Sequence, residues 1–206
     1  RVDSRLVGYH AIELDTHYPG AAVLKMADLV IVNKVHAATD SQRQEMVAEL
    51  DRVVPDKPRV YATSPVTLDH PDLLRGARVL VVEDGPTITH GGMPYGAGYH
   101  AIASVDVAEI VDPREFATPE IRAVYARYPH IGPVLPAMGY GSEELAELRA
   151  TIEAARPDAV VAGTPIDLAR ALHTGVPVVR AHYRYQDAGD PGLLHFIDGF
   201  LDARGL

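Results

Sequence analysis

Short runs of branched aliphatic residues alternate along this chain with stretches whose apolar residues recur every three or four positions. The runs fall at 28–33, 59–63, 78–83, 108–111, 158–162 and 177–182 and read as strands. A strand that is apolar on both sides has to be covered on both sides, and mostly parallel sheets with crossover helices achieve this. The intervening stretches supply the helices. One spans about 40–53, with Met46, Val47, Leu50 and Val53 on one face and a Thr39…Gln42 capping box at its start. Others begin at Thr118-Pro119-Glu120, carrying Ile121, Val124, Tyr125 and Tyr128, and at Ser142, carrying Leu145, Leu148 and Ile152 up to Pro157. A short helix over 165–173 takes Thr164 as N-cap and Asp167 as its partner, and a closing helix over 191–204 packs on Leu194, Ile197 and Leu201. The prediction is an α/β fold: a mostly parallel, doubly wound sheet with helices on both faces. Residues 1–27 read as irregular, and 64–71 and 187–191 as connections. Ligands of such sheets bind at the carboxyl ends of the strands, so the loops leaving those ends are the candidates for chemistry.

The loop leaving the 78–83 strand is the most unusual stretch. Glu83 and Asp84 close the strand. Glycine then stands at 85, 91, 92, 96 and 98, with Thr87, Thr89, His90 and Tyr95 between, before a helix start near Ala97. Small residues let backbone N–H groups approach an anion, and a helix N-terminus adds partial positive charge. Glu83 and Asp84 supply the hard oxygens that magnesium takes while it bridges phosphates. Thr87, Gly91, Gly92, Tyr95, Gly96 and Gly98 read as a phosphate cradle. Asp84, Thr89 and His90 are the catalytic candidates, His90 because imidazole titrates near neutrality. The competing readings are a surface loop that uses glycine for its turns, a solvated acidic strand end and a hydrogen-bonded loop histidine. Elsewhere Arg114, in Asp112-Pro113-Arg114, can hold a phosphate or carboxylate bidentately. Arg180, in an otherwise apolar strand, needs a partner, either substrate or a neighbouring carboxylate. Thr164 stands at a strand-to-helix turn that can receive an anion while also capping its helix.

The balance of charge narrows the partners. A net charge of −9 over 206 residues argues against broad nucleic-acid or anionic-membrane binding, which needs a basic surface. With no cysteine, disulfides and thiolate metal sites are excluded. No apolar run approaches a membrane span and no signal-peptide pattern opens the chain, so a cytoplasmic location is expected. The expected partner is a small phosphorylated metabolite, with homo-oligomerisation left open.

The stretch Val82-Glu-Asp-Gly-Pro-Thr-Ile-Thr-His-Gly-Gly-Met-Pro-Tyr-Gly-Ala-Gly-Tyr99 resembles a motif of the cyclic 2,3-diphosphoglycerate synthetase family, whose bacterial members are often labelled GTPases. Stretches at 26–35 (Met-Ala-Asp-Leu-Val-Ile-Val-Asn-Lys-Val), 109–114, 128–141 and 163–168 resemble the same family in order. The resemblance covers nearly the whole chain but maps onto the C-terminal part of family members, which carry an additional domain and a phosphate-binding P-loop upstream. It implies a P-loop NTPase-like C-terminal portion, with ATP (or GTP) and Mg2+ as cofactors. The implied reaction is ATP-dependent closure of an intramolecular phosphoanhydride in 2,3-bisphosphoglycerate. The Gly-Lys pair of a P-loop is absent, since Lys25, Lys34 and Lys57 follow Leu, Asn and Asp. A preceding region of the same protein is therefore expected, as the start at Arg1 also suggests.

Under this resemblance residues 1–75 are the end of the nucleotide-binding domain and 76–206 the phosphate-substrate-binding portion, in one sheet or two. Asn33-Lys34-Val35-His36 follows an apolar strand, as a base-recognition motif should. His36 stands where such motifs carry Asp. An imidazole cannot offer two acceptor oxygens to guanine, which favours adenine or relaxed base choice. Ser64, in Tyr61-Ala62-Thr63-Ser64, occupies the place of the second base loop. Asn33, Lys34 and Ser64 are the nucleotide-binding candidates, against a plain strand end at which Asn makes a turn. Two other functions stay open: a nucleotide-hydrolysing regulatory switch, and a non-catalytic nucleotide- or phosphate-binding fragment.

Overall fold

The computed structural model describes residues 6–10, 20–90 and 93–205. In chain order its elements are β1 (Leu6–His10), α1 (Gly20–Met26), β2 (Leu29–Asn33), α2 (Asp40–Val53), β3 (Arg59–Thr63), β4 (Val66–Leu68), β5 (Arg78–Asp84), α3 (Gly85–His90), α4 (Ala97–Ile102), β6 (Glu109–Ile110), α5 (Pro119–Arg127), β7 (Leu135–Ala137), α6 (Ser142–Ala155), β8 (Ala159–Gly163), α7 (Leu168–Leu172), β9 (Val178–Tyr183), β10 (Gln186–Asp187) and α8 (Leu193–Asp202). The fold is α/β, as the aliphatic runs require. The strands form two sheets, ordered β1-β2-β3-β10 and β4-β9-β8-β5-β6, with β7 also on β5. The chain divides into two compact units, 1–65 with 184–206, and 66–183.

In the first unit β1, β2 and β3 are parallel and β10 is antiparallel on β3. β2 is apolar on both sides because both are covered. Val30 and Val32 share a core with Met46 and Leu50 of α2, while Leu29 and Ile31 join Val60, Ala62 and the α8 residues Leu193 and Phe196. The start of α2 is set locally: Thr39 accepts the Gln42 amide through its hydroxyl, and the Gln42 side chain accepts the Thr39 amide. Thr39→Ala is expected to lower the stability of this unit by about 1 kcal/mol in denaturant unfolding. An unchanged midpoint would show that the box contributes nothing.

Three sequence-based expectations give way to the structure. Residues 1–27 are not irregular throughout, since β1 pairs with β2 and α1 lies between them in sequence. The stretch 64–71 contains β4, antiparallel on β9, and Asp187 belongs to β10. Finally, α8 packs on Leu193 and Phe196 and leaves Leu194 69% and Ile197 38% exposed. Both stripes of this helix are apolar, so periodicity could not choose between them. The stripe with the larger aromatic area is the one packed against the sheet, half-buried.

In the second unit β5 to β9 are parallel and β4 is antiparallel at the β9 edge. Val79 to Val82 and Ala159 to Ala162 are buried throughout, which requires cover on both faces. β8 occupies one edge of β5 from Val79 to Glu83. β6 and β7 share the other, β6 at its beginning and β7 at its end. The chain therefore leaves β7 and crosses back over β5 to reach β8. Strand order reverses between β5 and β8, and at such a switch point the departing loops open a crevice at the carboxyl ends.

Candidate functional site

β5 brings two adjacent carboxylates to this crevice, and the pleat sends them to opposite faces. Glu83 turns under the start of α4 and is 1% exposed. Its Oε1 accepts the amides of Gly96 (3.1 Å) and Tyr99 (2.8 Å), and the Gly98 amide also faces it. A Cβ at Gly96 would stand 2.6 Å from Oε2, one at Gly98 3.2 Å from Oε1, and one at Gly163 would overlap Oε2. Gly96 and Gly98, placed by sequence in the phosphate cradle, let α4 close on this internal carboxylate.

Burial raises the Glu83 pKa to about 7, against the opposing pull of the amides. The unfolded chain loses that proton near pH 4.5, so between these values the folded state holds a proton that the unfolded state lacks. The contribution of Glu83 to stability is thus complete at the acid end and is lost as pH rises through about 7. Thermal melts between pH 5 and pH 8 should show this slope, with Glu83→Gln flattening it. An identical slope in the Gln variant would assign it to other groups.

Asp84 points to the other face, half-buried. It accepts the Thr87 hydroxyl (2.9 Å) and the Tyr140 hydroxyl (3.0 Å). Residues 85–90, read from sequence as an open loop, form α3. Asp84 explains the difference: it also faces the Thr87 amide at 3.4 Å, while Pro86 is tolerated in the first turn. Tyr140 follows β7. Thr164, buried at the end of β8, lies beside the same phenol and donates its hydroxyl to the Ile166 carbonyl (3.4 Å). Burial and then Asp84 push the Tyr140 pKa up to about 12, so its hydroxyl stays a donor. One carboxylate and three hydroxyls, from the loops after β5, β7 and β8, therefore meet at the switch point. Tyr140 was not among the sequence candidates; its setting between Gly139 and Gly141 in the 128–141 stretch was the signal for it.

The remaining candidates are dispersed. Thr89 is buried and donates to the Gly85 carbonyl (2.8 Å) within α3, and His90 is the last residue of that helix. Gly91 and Gly92 lie outside the described residues. Tyr95 stacks on Tyr99 with ring centroids 4.5 Å apart. After β6, Arg114 grips Asp112 through Nε (2.9 Å) and Nη2 (2.7 Å). Arg180 on β9 donates Nη2 to the Pro165 carbonyl (2.6 Å) and forms no ion pair among the described residues. The α7 cap is Asp167 and not Thr164: Asp167 accepts the Arg170 amide (3.1 Å), and the helix begins only at Leu168. Among the described residues no three His, Asp or Glu side chains converge as a metal site. Asp84 is the carboxylate with access, and a hydrated magnesium that bridges phosphates needs no more than one or two.

In the first unit Asn33, Lys34 and Ser64 do come together, at the carboxyl ends of β2 and β3. Asn33 Oδ1 accepts the Lys34 amide (2.8 Å) and the Ser64 hydroxyl (3.0 Å). Lys34 is left-handed (φ 58°, ψ 31°), an uncommon conformation for a lysine and one that clusters at functional turns. Arg43 of α2 fastens the next turn through the carbonyls of Val35 (2.9 Å) and Ala38 (2.8 Å).

These features define an α/β protein with a cluster of polar side chains at a topological switch point and, in its other unit, a strained Asn-Lys turn at the strand ends. No protein-family profile matches the chain. It is similar to the arginine synthetase ArcE of Thermococcus kodakarensis, with 43% identity over 182 residues that make up 88% of this chain. The match spans 41% of that protein's length. Among the described residues no helix is long and apolar enough to cross a membrane.

Proposed function

We propose that this chain is the acceptor-binding part of an ATP- and magnesium-dependent synthetase that phosphorylates an oxygen of a small substrate. The observation that carries this reading is the meeting of Asp84, Thr87, Tyr140 and Thr164 at the switch point. The relative's name, a synthetase, and the resemblance of 82–99 to the cyclic 2,3-diphosphoglycerate synthetase family support it from two sides. The unit of 1–65 with 184–206 serves the nucleotide, with Asn33, Lys34 and Ser64 at its base, and the unit of 66–183 serves the acceptor. The triphosphate is expected on a P-loop outside these 206 residues.

Asp84 would hold a hydrated magnesium, which would supply neutralisation of phosphate charge during transfer. The Thr87 and Tyr140 hydroxyls fix the direction of the Asp84 carboxylate, with Thr164 beside the phenol. An acceptor oxygen attacks the γ-phosphorus, and ADP leaves with the electron pair of the broken P–O bond. A nucleophile then displaces phosphate from the activated acceptor. In an arginine-forming reaction the acceptor is the ureido oxygen of citrulline and the nucleophile is ammonia. In the cyclic 2,3-diphosphoglycerate reaction one phosphate of 2,3-bisphosphoglycerate is activated and its neighbour closes on it.

Phosphorus NMR on the full-length protein with ATP and magnesium, paired with amino-acid analysis, tests this, with citrulline and ammonium in one sample and 2,3-bisphosphoglycerate in another. Arginine or a cyclic phosphoanhydride, formed with ADP and phosphate, supports the synthetase and identifies the acceptor. Phosphate released with both acceptors unchanged supports a regulatory switch instead. No nucleotide turnover in either sample supports a non-catalytic binding module.

A further inference from the structure

A pocket of about 200 Å³ opens in the second unit beside the crevice, with Asp69, Asp167, Arg180 and His182 around a floor that includes Ala162 and Val178. The strand register fixes its position. Val82 pairs with Ala162 and Ala162 with Arg180, so Arg180 shares a face of the sheet with Val82 and, two residues on, with Asp84. With neighbouring strands about 4.8 Å apart, β9 lies roughly 10 Å from β5.

The charges in this pocket are unevenly committed. Arg180 spends one hydrogen bond on the Pro165 carbonyl and pairs with no carboxylate among the described residues, which leaves guanidinium donors for a ligand. The carboxylates are engaged by main-chain amides: Asp69 by that of Arg180 (2.9 Å) and Asp167 by that of Arg170 (3.1 Å). Asp69 Oδ2 also stands 4.0 Å from His182 Nε2. Among the side chains that line it, two carboxylates stand beside one guanidinium. A dianionic phosphate here would face both carboxylates, whereas a zwitterion satisfies both signs.

We propose that this pocket is a subsite for the head group of a small α-amino acid, with the carboxylate on Arg180 and the ammonium toward Asp69 and Asp167. The amino-acid side chain then runs along the sheet face toward Asp84, a span suited to a long, extended side chain. The inference rests on the synthetase reading for its role in turnover, but the binding it describes needs no nucleotide.

Calorimetry on the full-length protein without nucleotide tests it, with L-citrulline, its decarboxylated analogue N-carbamoylputrescine, and 3-phosphoglycerate as probes. Citrulline is expected to bind most tightly, and loss of its carboxylate to weaken binding by about tenfold or more. Arg180→Met should erase that preference, and Ala169→Phe, an exposed lining position, should weaken citrulline binding by blocking the pocket. The subsite is refuted by equal binding of citrulline and its decarboxylated analogue, by tighter binding of 3-phosphoglycerate, or by a preference that survives Arg180→Met. If Arg180→Met fails to fold, unchanged citrulline affinity in Ala169→Phe refutes it equally. Citrulline binding without turnover keeps the subsite and discards the synthetase. Citrulline turnover indifferent to both variants keeps the synthetase and discards the subsite.

Discussion

Asp84→Asn is expected to lower magnesium-dependent turnover about a thousandfold, or about 4 kcal/mol of transition-state stabilisation, with little change in melting temperature. Thr87 donates to Oδ2 (2.9 Å) and Tyr140 to Oδ1 (3.0 Å), so the carboxamide oxygen keeps one of these bonds while its NH2 donates to the other hydroxyl, and the local framework survives. What disappears is the negative charge that a hard divalent cation requires. Rates over a magnesium titration, with thermal melts on the same samples, separate these effects. A collapsed melting temperature would make Asp84 a structural residue, and undiminished turnover would remove it from the site.

Gly163→Ala is expected to destabilise the second unit by about 3 kcal/mol, lowering its melting temperature by on the order of 10 °C. The added methyl group would overlap Glu83 Oε2 and come within 2.8 Å of the Gly98 nitrogen. Neither neighbour can retreat, since one is a buried carboxylate held by amides and the other is backbone. Gly175→Ala is the control: nothing lies within 4 Å of its added Cβ, and its melt should move little. Equal losses in the two variants would show that chain flexibility, and not the closeness of Glu83 to α4, sets the requirement for glycine.

The interior strands were legible because their physics is local. β2, β5 and β8 are covered on both faces, so their sequences run apolar without interruption. The Thr39–Gln42 box also lies within a few residues and could be read directly. β1, β4 and β10 were not legible, since each is an edge strand whose existence depends on the partner strand it meets. The stripes of α8 were ambiguous for a related reason: burial is decided by the surface the helix lands on.

The same division holds at the site. The sequence already marked the loops at the carboxyl ends of the parallel strands as the place for chemistry, and named Asp84, Thr87 and Thr164 within them. It could not separate Glu83 from Asp84, because neighbours in sequence look like one acidic pair. The pleat sends them to opposite faces, and the cover on each face makes Glu83 an internal anchor and leaves Asp84 an accessible carboxylate. Nor could it join Asp84 to Tyr140, 56 residues apart, or Asp69 to Arg180, 111 apart. Hydrophobic periodicity and capping act over a few residues and so are written in the chain order. A hydrogen bond across strands depends on which strands become neighbours, and that follows from how the whole sheet is packed.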